Sequence, residues 1–442
     1  MNDDSRTLLH FVRLARDRAV FQRHSPGGTG HFVRVGTVDV GRTRTLAMPQ
    51  PAADAVVLWT TPALADLSAR TPPRPDVPDT YKACIPVFKS TVQKCVRRCT
   101  PDKCAQFAWG LVHAGGLDQL LRRALVVLIE DAIALPEVPA LVWLMAAHAK
   151  GFCLDTDDIG LVVNAMHRAA ALSVRDCVPP PEPTVEARAR LGNAANHPLV
   201  DAILFRVCYG GTPGDMRMLA RAASLWHTRL SGASRTEWHE AWGVALADTA
   251  GHVTAHALGV GAEVPPPDDM ASLIAVVPIE AADFHCFPHI CAEVAQATRG
   301  LHAAEAVREA IWHHRSSVNL KRPWIDPTTP ATLTSSADAA AVAEWTDDRV
   351  DTASLLRTAH CWTVVSAHVD RAARRALDRV SVAVAHTTMD DPAELKQRSG
   401  QKRSRAVAGI DRTPPATINR GPRAPGPSQR SIQSFFRPSA PS

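Results

Sequence analysis

The strongest constraint lies in residues 81–175, where Ala, Leu and Val recur at three- and four-residue spacing between sharp Gly and Pro stops. Apolar positions at that spacing line one face of a helix, so the stretch predicts packed helices. The stops divide it. One helix covers 104–113 and ends at Gly115-Gly116. The next, 117–134, ends before Pro136; 139–150 ends at Gly151; 157–173 is a further amphipathic helix. The run Pro179-Pro180-Pro181-Glu182-Pro183 marks a loop or domain seam. Beyond it the same reading predicts helices at 198–208, 214–230, 235–256, 289–300 and 302–314, and one within 351–385. Loops fall at 265–267 and 323–336. No internal repeat is evident.

The first 80 residues follow a different pattern. Leu8, Leu9, Phe11, Val12 and Leu14, then Val20 and Phe21, read as a helix. Residues 25–30 break it with Pro and three glycines. Residues 31–40 alternate apolar and polar around Gly36, which predicts a short hairpin, and 55–59 reads as another strand. Four prolines in 71–79 mark a connector. The fold class expected is mainly α: a multi-helix body, a small N-terminal segment containing a β-hairpin, and a disordered C-terminal tail. The expected division is 1–80 mixed α/β, 81–178 helical, 184–388 a second helical domain and 389–442 the tail.

Charge separates that tail from the rest. Residues 396–442 hold ten Lys/Arg and one acid, Asp411, whereas the remainder holds 39 basic and 43 acidic residues. The net charge of +5 therefore originates in the tail. From about Asp390 onward Pro, Gly, Ser and Arg dominate. Such a composition buries too little apolar surface to offset its ordering entropy, so disorder is expected. Residues 1–23 carry charges throughout without the apolar run of a secretory signal, and no apolar stretch of transmembrane length appears. A protein free of membranes is expected. Ten scattered cysteines without a secretory signal are read as thiols of a reduced, intracellular compartment.

The tail ends in Gln429-Arg430-Ser431-Ile432-Gln433-Ser434-Phe435-Phe436. One helical or 3₁₀ turn would put Ile432, Phe435 and Phe436 on one side as an apolar plug. Aromatics at the end of such a tail have no core to join, and they imply a pocket on a partner. The pattern Q-x-x-I-x-x-F-F resembles the PIP box through which replication and repair proteins bind the sliding clamp PCNA. The resemblance covers eight residues and every defining position. It implies that Gln429 enters a small polar pocket and that Ile432, Phe435 and Phe436 fill the groove beneath the clamp's interdomain loop. Upstream, Lys396, Arg398, Lys402, Arg403 and Arg405 form a basic cluster that reads as a nuclear localisation signal. The expected location is the nucleus.

A second segment, residues 89–135, is similar to the helical C-terminal region of RarA/MgsA-type AAA+ ATPases, relatives of the clamp loaders. Lys89, Ser90, Arg98, Pro101, Asp102, Trp109, Gly115, Arg122, Arg123, Glu130 and Asp131 carry the similarity. It does not extend to the ATPase module. No G-x-x-x-x-G-K-[ST] occurs, and residues 1–80 are too short to hold that module. No nucleotide cofactor is expected. What the resemblance implies is a helical scaffold for DNA or for self-association, with a homo-oligomer possible. Lys89, Lys94, Arg97 and Arg98 form the densest basic cluster of the body and are the candidates for phosphate contact. Arg122 and Arg123 lie two helical turns before Glu130 and Asp131, too far for i,i+4 pairing. They are expected in structural salt bridges, with the two acids capping or bridging a neighbouring helix; the alternative is arginine contact with phosphate.

Two clusters hold metal-ligand chemistry. Cys84, Cys95, Cys99 and Cys104 lack the tight C-x₂₋₄-C pairs of zinc sites and read as buried small hydrophobes. Residues 283–291 (Asp-Phe-His-Cys-Phe-Pro-His-Ile-Cys) are dense in ligand-type side chains, with His313, His314, Arg315, Ser316 and Ser317 a helix later. Asp283, His285 and His313 are the candidates for a hydrolytic site, in a DNA-processing enzyme recruited to the clamp. The competing reading is a polar junction in which Asp283 pairs with Arg315. No resident metal is expected. The main expectation is a replication or repair accessory protein that binds the clamp and contacts DNA or replication proteins through its body.

Overall fold

The N-terminal apolar run forms strands rather than the expected helix. In the computed structural model, which describes residues 7–40, 53–74, 76–176, 190–194, 196–232, 235–247, 267–317 and 352–386, β1 (Leu8–Ala15) and β2 (Arg18–Gln22) pair antiparallel. β3 (Val33–Asp39) and β4 (Ala55–Thr60) complete a four-stranded sheet of order β2-β1-β4-β3. β1 runs parallel to β4. Its residues from Leu9 to Arg13 are all buried. A strand covered on both faces loses polar alternation and reads as a continuous apolar run, which periodicity alone cannot separate from a helix. The 31–40 stretch is a single strand, β3, paired antiparallel with β4 instead of folding back on itself.

The chain then becomes helical, and the mainly α class holds. β4 leads into α1 (Pro62–Arg70), and the 71–79 connector into α2 (Asp79–Lys82). Next come α3 (Ile85–Arg97), α4 (Pro101–His113), α5 (Leu117–Asp131), α6 (Val138–His148) and α7 (Thr156–Ala171). α4 opens on Pro101 with Asp102 in its first turn, where a missing N–H costs nothing and negative charge suits the helix dipole. It closes at Gly115, whose φ of +80° suits glycine; Gly115 and Gly116 donate their N–H groups back to Val112 and Leu111.

α8 (Pro198–Tyr209), α9 (Pro213–Arg229) and α10 (Arg235–Ala247) follow. The residues 265–266 expected in a loop lie outside the described residues, as do 179–183 and 323–336. Pro267 instead opens α11 (Pro267–Ala275). α12 (Ile290–Ala297) and α13 (Ala304–Ile311) come next. α13 passes into a π-turn, Trp312–Ser316. α14 (Thr352–Ala385) has 34 residues, about 51 Å at 1.5 Å per residue.

α6 is buried all round and forms the centre of the body. The sheet lies against it: the Trp143 indole donates to the Phe11 carbonyl at 3.2 Å. The Phe11 and Phe21 rings stack at 4.0 Å, and Phe205 of α8 meets both edge-on. Arg13, fully buried on β1, lies 2.6 Å from Asp158 in the first turn of α7 and over the Trp143 ring. The buried apolar residues form one cluster running from Leu9 to Val384. No helix among the described residues is long and apolar enough to cross a membrane.

Candidate functional site

α3 positions the chemistry. Ser90, Lys94 and Arg97 fall at i, i+4 and i+7, so they share a face. That face turns toward the 3₁₀ turn Ile279–Ala281, the loop after it and the π-turn. The Ser90 hydroxyl donates to the Ala281 carbonyl at 2.8 Å. Lys94 is buried, donates to the Glu280 carbonyl at 2.9 Å and forms an ion pair with Asp283.

Asp283 is 0 % exposed. Its Oδ2 accepts from the Lys94 ammonium and, at 2.6 Å, from the Ser316 hydroxyl. Its Oδ1 accepts from the His285 backbone N–H at 2.8 Å and meets His285 Nδ1 at 2.8 Å. Four partners fill the lone-pair capacity of a carboxylate. Burial pushes this carboxyl upward, but the Lys94 charge and the His285 contacts outweigh burial and hold it well below the usual carboxylate range.

The neighbouring charges are equally committed. Arg97 is buried and makes a bidentate pair with Asp131 of α5 at 2.7 and 3.0 Å, with a third bond to the Ser316 carbonyl. Arg98 is half-buried between Glu280 at 3.4 Å and the Arg315 carbonyl at 3.2 Å. Lys89, also half-buried, donates to Gln119 at 3.2 Å, and burial lowers its pKa. The expected phosphate-binding cluster is therefore corrected. Lys94 and Arg97 are interior ion-pair partners, because the apolar positions interleaved with them turn that face of α3 into the body.

The hydrolytic candidates are brought together only in part. Asp283 and His285 meet, but the π-turn sends Ser316, not His313, to Asp283. Arg315 does not take Asp283 either; it pairs with Asp370 of α14 at 2.8 Å. Ser316 donates to a carboxylate held well below its ordinary range, too weak a base to activate the hydroxyl. Cys286 points at the Ala281 and Asp283 carbonyls, and burial pushes its thiol up to about 11. The arrangement is a polar junction joining α3, the 283–289 loop and the π-turn.

Arg123 meets Gln93 at 2.8 Å, Asp215 at 3.3 Å and Glu130 at 3.6 Å, while Arg122 takes Asp118 at 2.9 Å. The Asp118 and Asp215 pairs are structural bridges as expected, the Arg123–Glu130 contact spans two turns of α5 and was not expected, and Glu130 and Asp131 reach α3 through Gln93 and Arg97. Cys84, Cys95 and Cys104 are buried free thiols, and burial raises Cys84 to about 12. Among the described residues, no group of three His, Cys, Asp or Glu side chains is placed to hold a metal ion. Lys396, Arg398, Lys402, Arg403, Arg405, Gln429, Ile432, Phe435 and Phe436 lie outside the described residues. Sequence reading placed Ser316 near the cluster but gave it no role, and it missed the pairing of Lys94 with Asp283. A lysine one turn past a serine on an apolar-faced helix was the only signal, and it names no partner. Compared with protein-family models, curated proteins and solved structures, the chain matches none.

Proposed function

We propose that this chain is an accessory factor of DNA replication or repair that binds the sliding clamp PCNA through Gln429, Ile432, Phe435 and Phe436. The observation that carries the reading is the full Q-x-x-I-x-x-F-F pattern at the end of a segment with ten basic residues and one acid. The apolar trio supplies the plug, Gln429 sets its register, and Arg430 and Arg437 add attraction to an acidic clamp surface. The basic cluster of residues 396–405 takes the chain to the nucleus. The helical body, RarA-like in residues 89–135, contacts DNA or other replication proteins.

A single motif of this size binds with a Kd on the order of micromolar, about −8 kcal/mol. The clamp is a trimer, so self-association of the body would add avidity without new contacts. Calorimetry of the full chain against PCNA is the test, with a peptide of residues 429–438 as competitor. Binding should be lost in the Phe435→Ala/Phe436→Ala variant. Unchanged affinity in that variant overturns the proposal. The enclosure and saturation of Asp283 favour no second, enzymatic reading.

A further inference from the structure

Lys94 and Arg97 are interior, but four exposed arginines gather within nine residues of the last helix. α14 turns Cys361, Val365, Val369, Ala372, Ala373, Ala376 and Leu377 into the body. Its opposite face presents Arg371, Arg374, Arg375 and Arg379, all exposed. At 100° per residue these four fall within an arc of about 140°. From residue 371 to 379 they extend about 12 Å along the axis, the rise of three to four phosphates on one DNA strand.

Three acids lie at this ridge, and they leave two of its arginines without an ion pair among the described residues. Asp370 is committed to the buried Arg315. Asp378 lies within the ridge and pairs with none of its arginines. Arg375 takes Glu293 of α12 at 2.5 Å, half exposed, and Arg379 donates to His289 at 3.2 Å. Arg371 and Arg374 make no ion pair among the described residues. An unneutralised arginine stands uncovered on a body that outside the tail carries more acids than bases. That placement fits a polyanion.

We propose that this ridge of α14 is a surface for the phosphate backbone of duplex DNA. The choice of DNA among polyanions rests on the clamp-binding reading, since the clamp encircles duplex. The contacts are to phosphate and carry no base sequence specificity.

The test is binding of the full chain to a blunt 30-base-pair duplex across a salt series, without clamp, comparing wild type with Arg371→Gln/Arg374→Gln. These two side chains hold no ion pair, so unchanged thermal melting is expected and confirms an intact fold. Each phosphate contact adds about one to the slope of log affinity against log salt. The variant should lose about two from that slope and about tenfold or more in affinity at low salt. An unchanged slope and affinity overturn the proposal. So does a variant that keeps DNA binding but loses clamp binding, which would make the ridge a protein contact. The Phe435→Ala/Phe436→Ala variant separates the two readings: it should lose the clamp and keep the wild-type salt slope on duplex.

Discussion

At Asp283 one carboxylate joins three stretches of chain: α3 through Lys94, the loop through His285 and the π-turn through Ser316. Asp283→Asn keeps the shape and removes the charge, leaving the Lys94 ammonium buried without a counter-ion. Breaking one side of such a pair costs about 3–5 kcal/mol. Urea unfolding should show that loss, and Lys94→Met/Asp283→Asn should recover a large part of it. Because the native carboxyl is held below its ordinary range, its contribution is complete at neutral pH. It is lost only in acid, as pH falls through the depressed value. Asp201 has the opposite sign. Burial raises it to about 6, although Asn196 at 2.7 Å and the Gly192 N–H at 3.0 Å favour its charged form. The folded state therefore binds this proton more tightly than the unfolded chain. Stability falls as pH rises from about 4 through 6, and the full penalty persists above. Asp201→Asn accepts the same two bonds and does not titrate. Between pH 4.5 and 7, urea unfolding should move in favour of the variant by roughly 1–3 kcal/mol relative to wild type.

Among elements, helix ends were the most legible feature. The Gly115-Gly116 stop ends α4 because a residue at φ +80° is needed to turn the chain back on its last carbonyls. Gly115→Ala should therefore destabilise by about 1–2 kcal/mol in thermal or urea unfolding, through left-handed strain and a Cβ 2.9 Å from Val77. The failures have physical causes too. β1 was misread because burial on both faces erased alternation. The 265–267 prolines read as a loop, yet Pro267 opens α11, since proline is suited both to turns and to a first helical position. The π-turn after α13 has no sequence signature. Its i→i+5 bond, seen between the Ser317 N–H and the Trp312 carbonyl at 3.0 Å, exists only once neighbours pull Ser316 toward α3. His313 is a candidate for the site by residue type, and this turn gives the position beside Asp283 to Ser316.

At the scale of the whole molecule, the chain read along its length is enough for the mainly α class, most helix boundaries, the charge division between body and tail, and the Q-x-x-I-x-x-F-F motif. These follow from local rules: spacing, breakers, composition and short-range pattern. Which charges face inward depends on the packing of distant segments. The basic residues of α3 look as available as those of α14 when read along the chain. Lys94 and Arg97 are inside because the 283 loop and α5 bring Asp283 and Asp131 to them. Arg371 and Arg374 are outside because α14 lies at the edge of the body with its small and aliphatic face turned in. Exposure is a property of what packs against a residue, and partners 34 or 189 positions away in sequence leave no trace in local pattern.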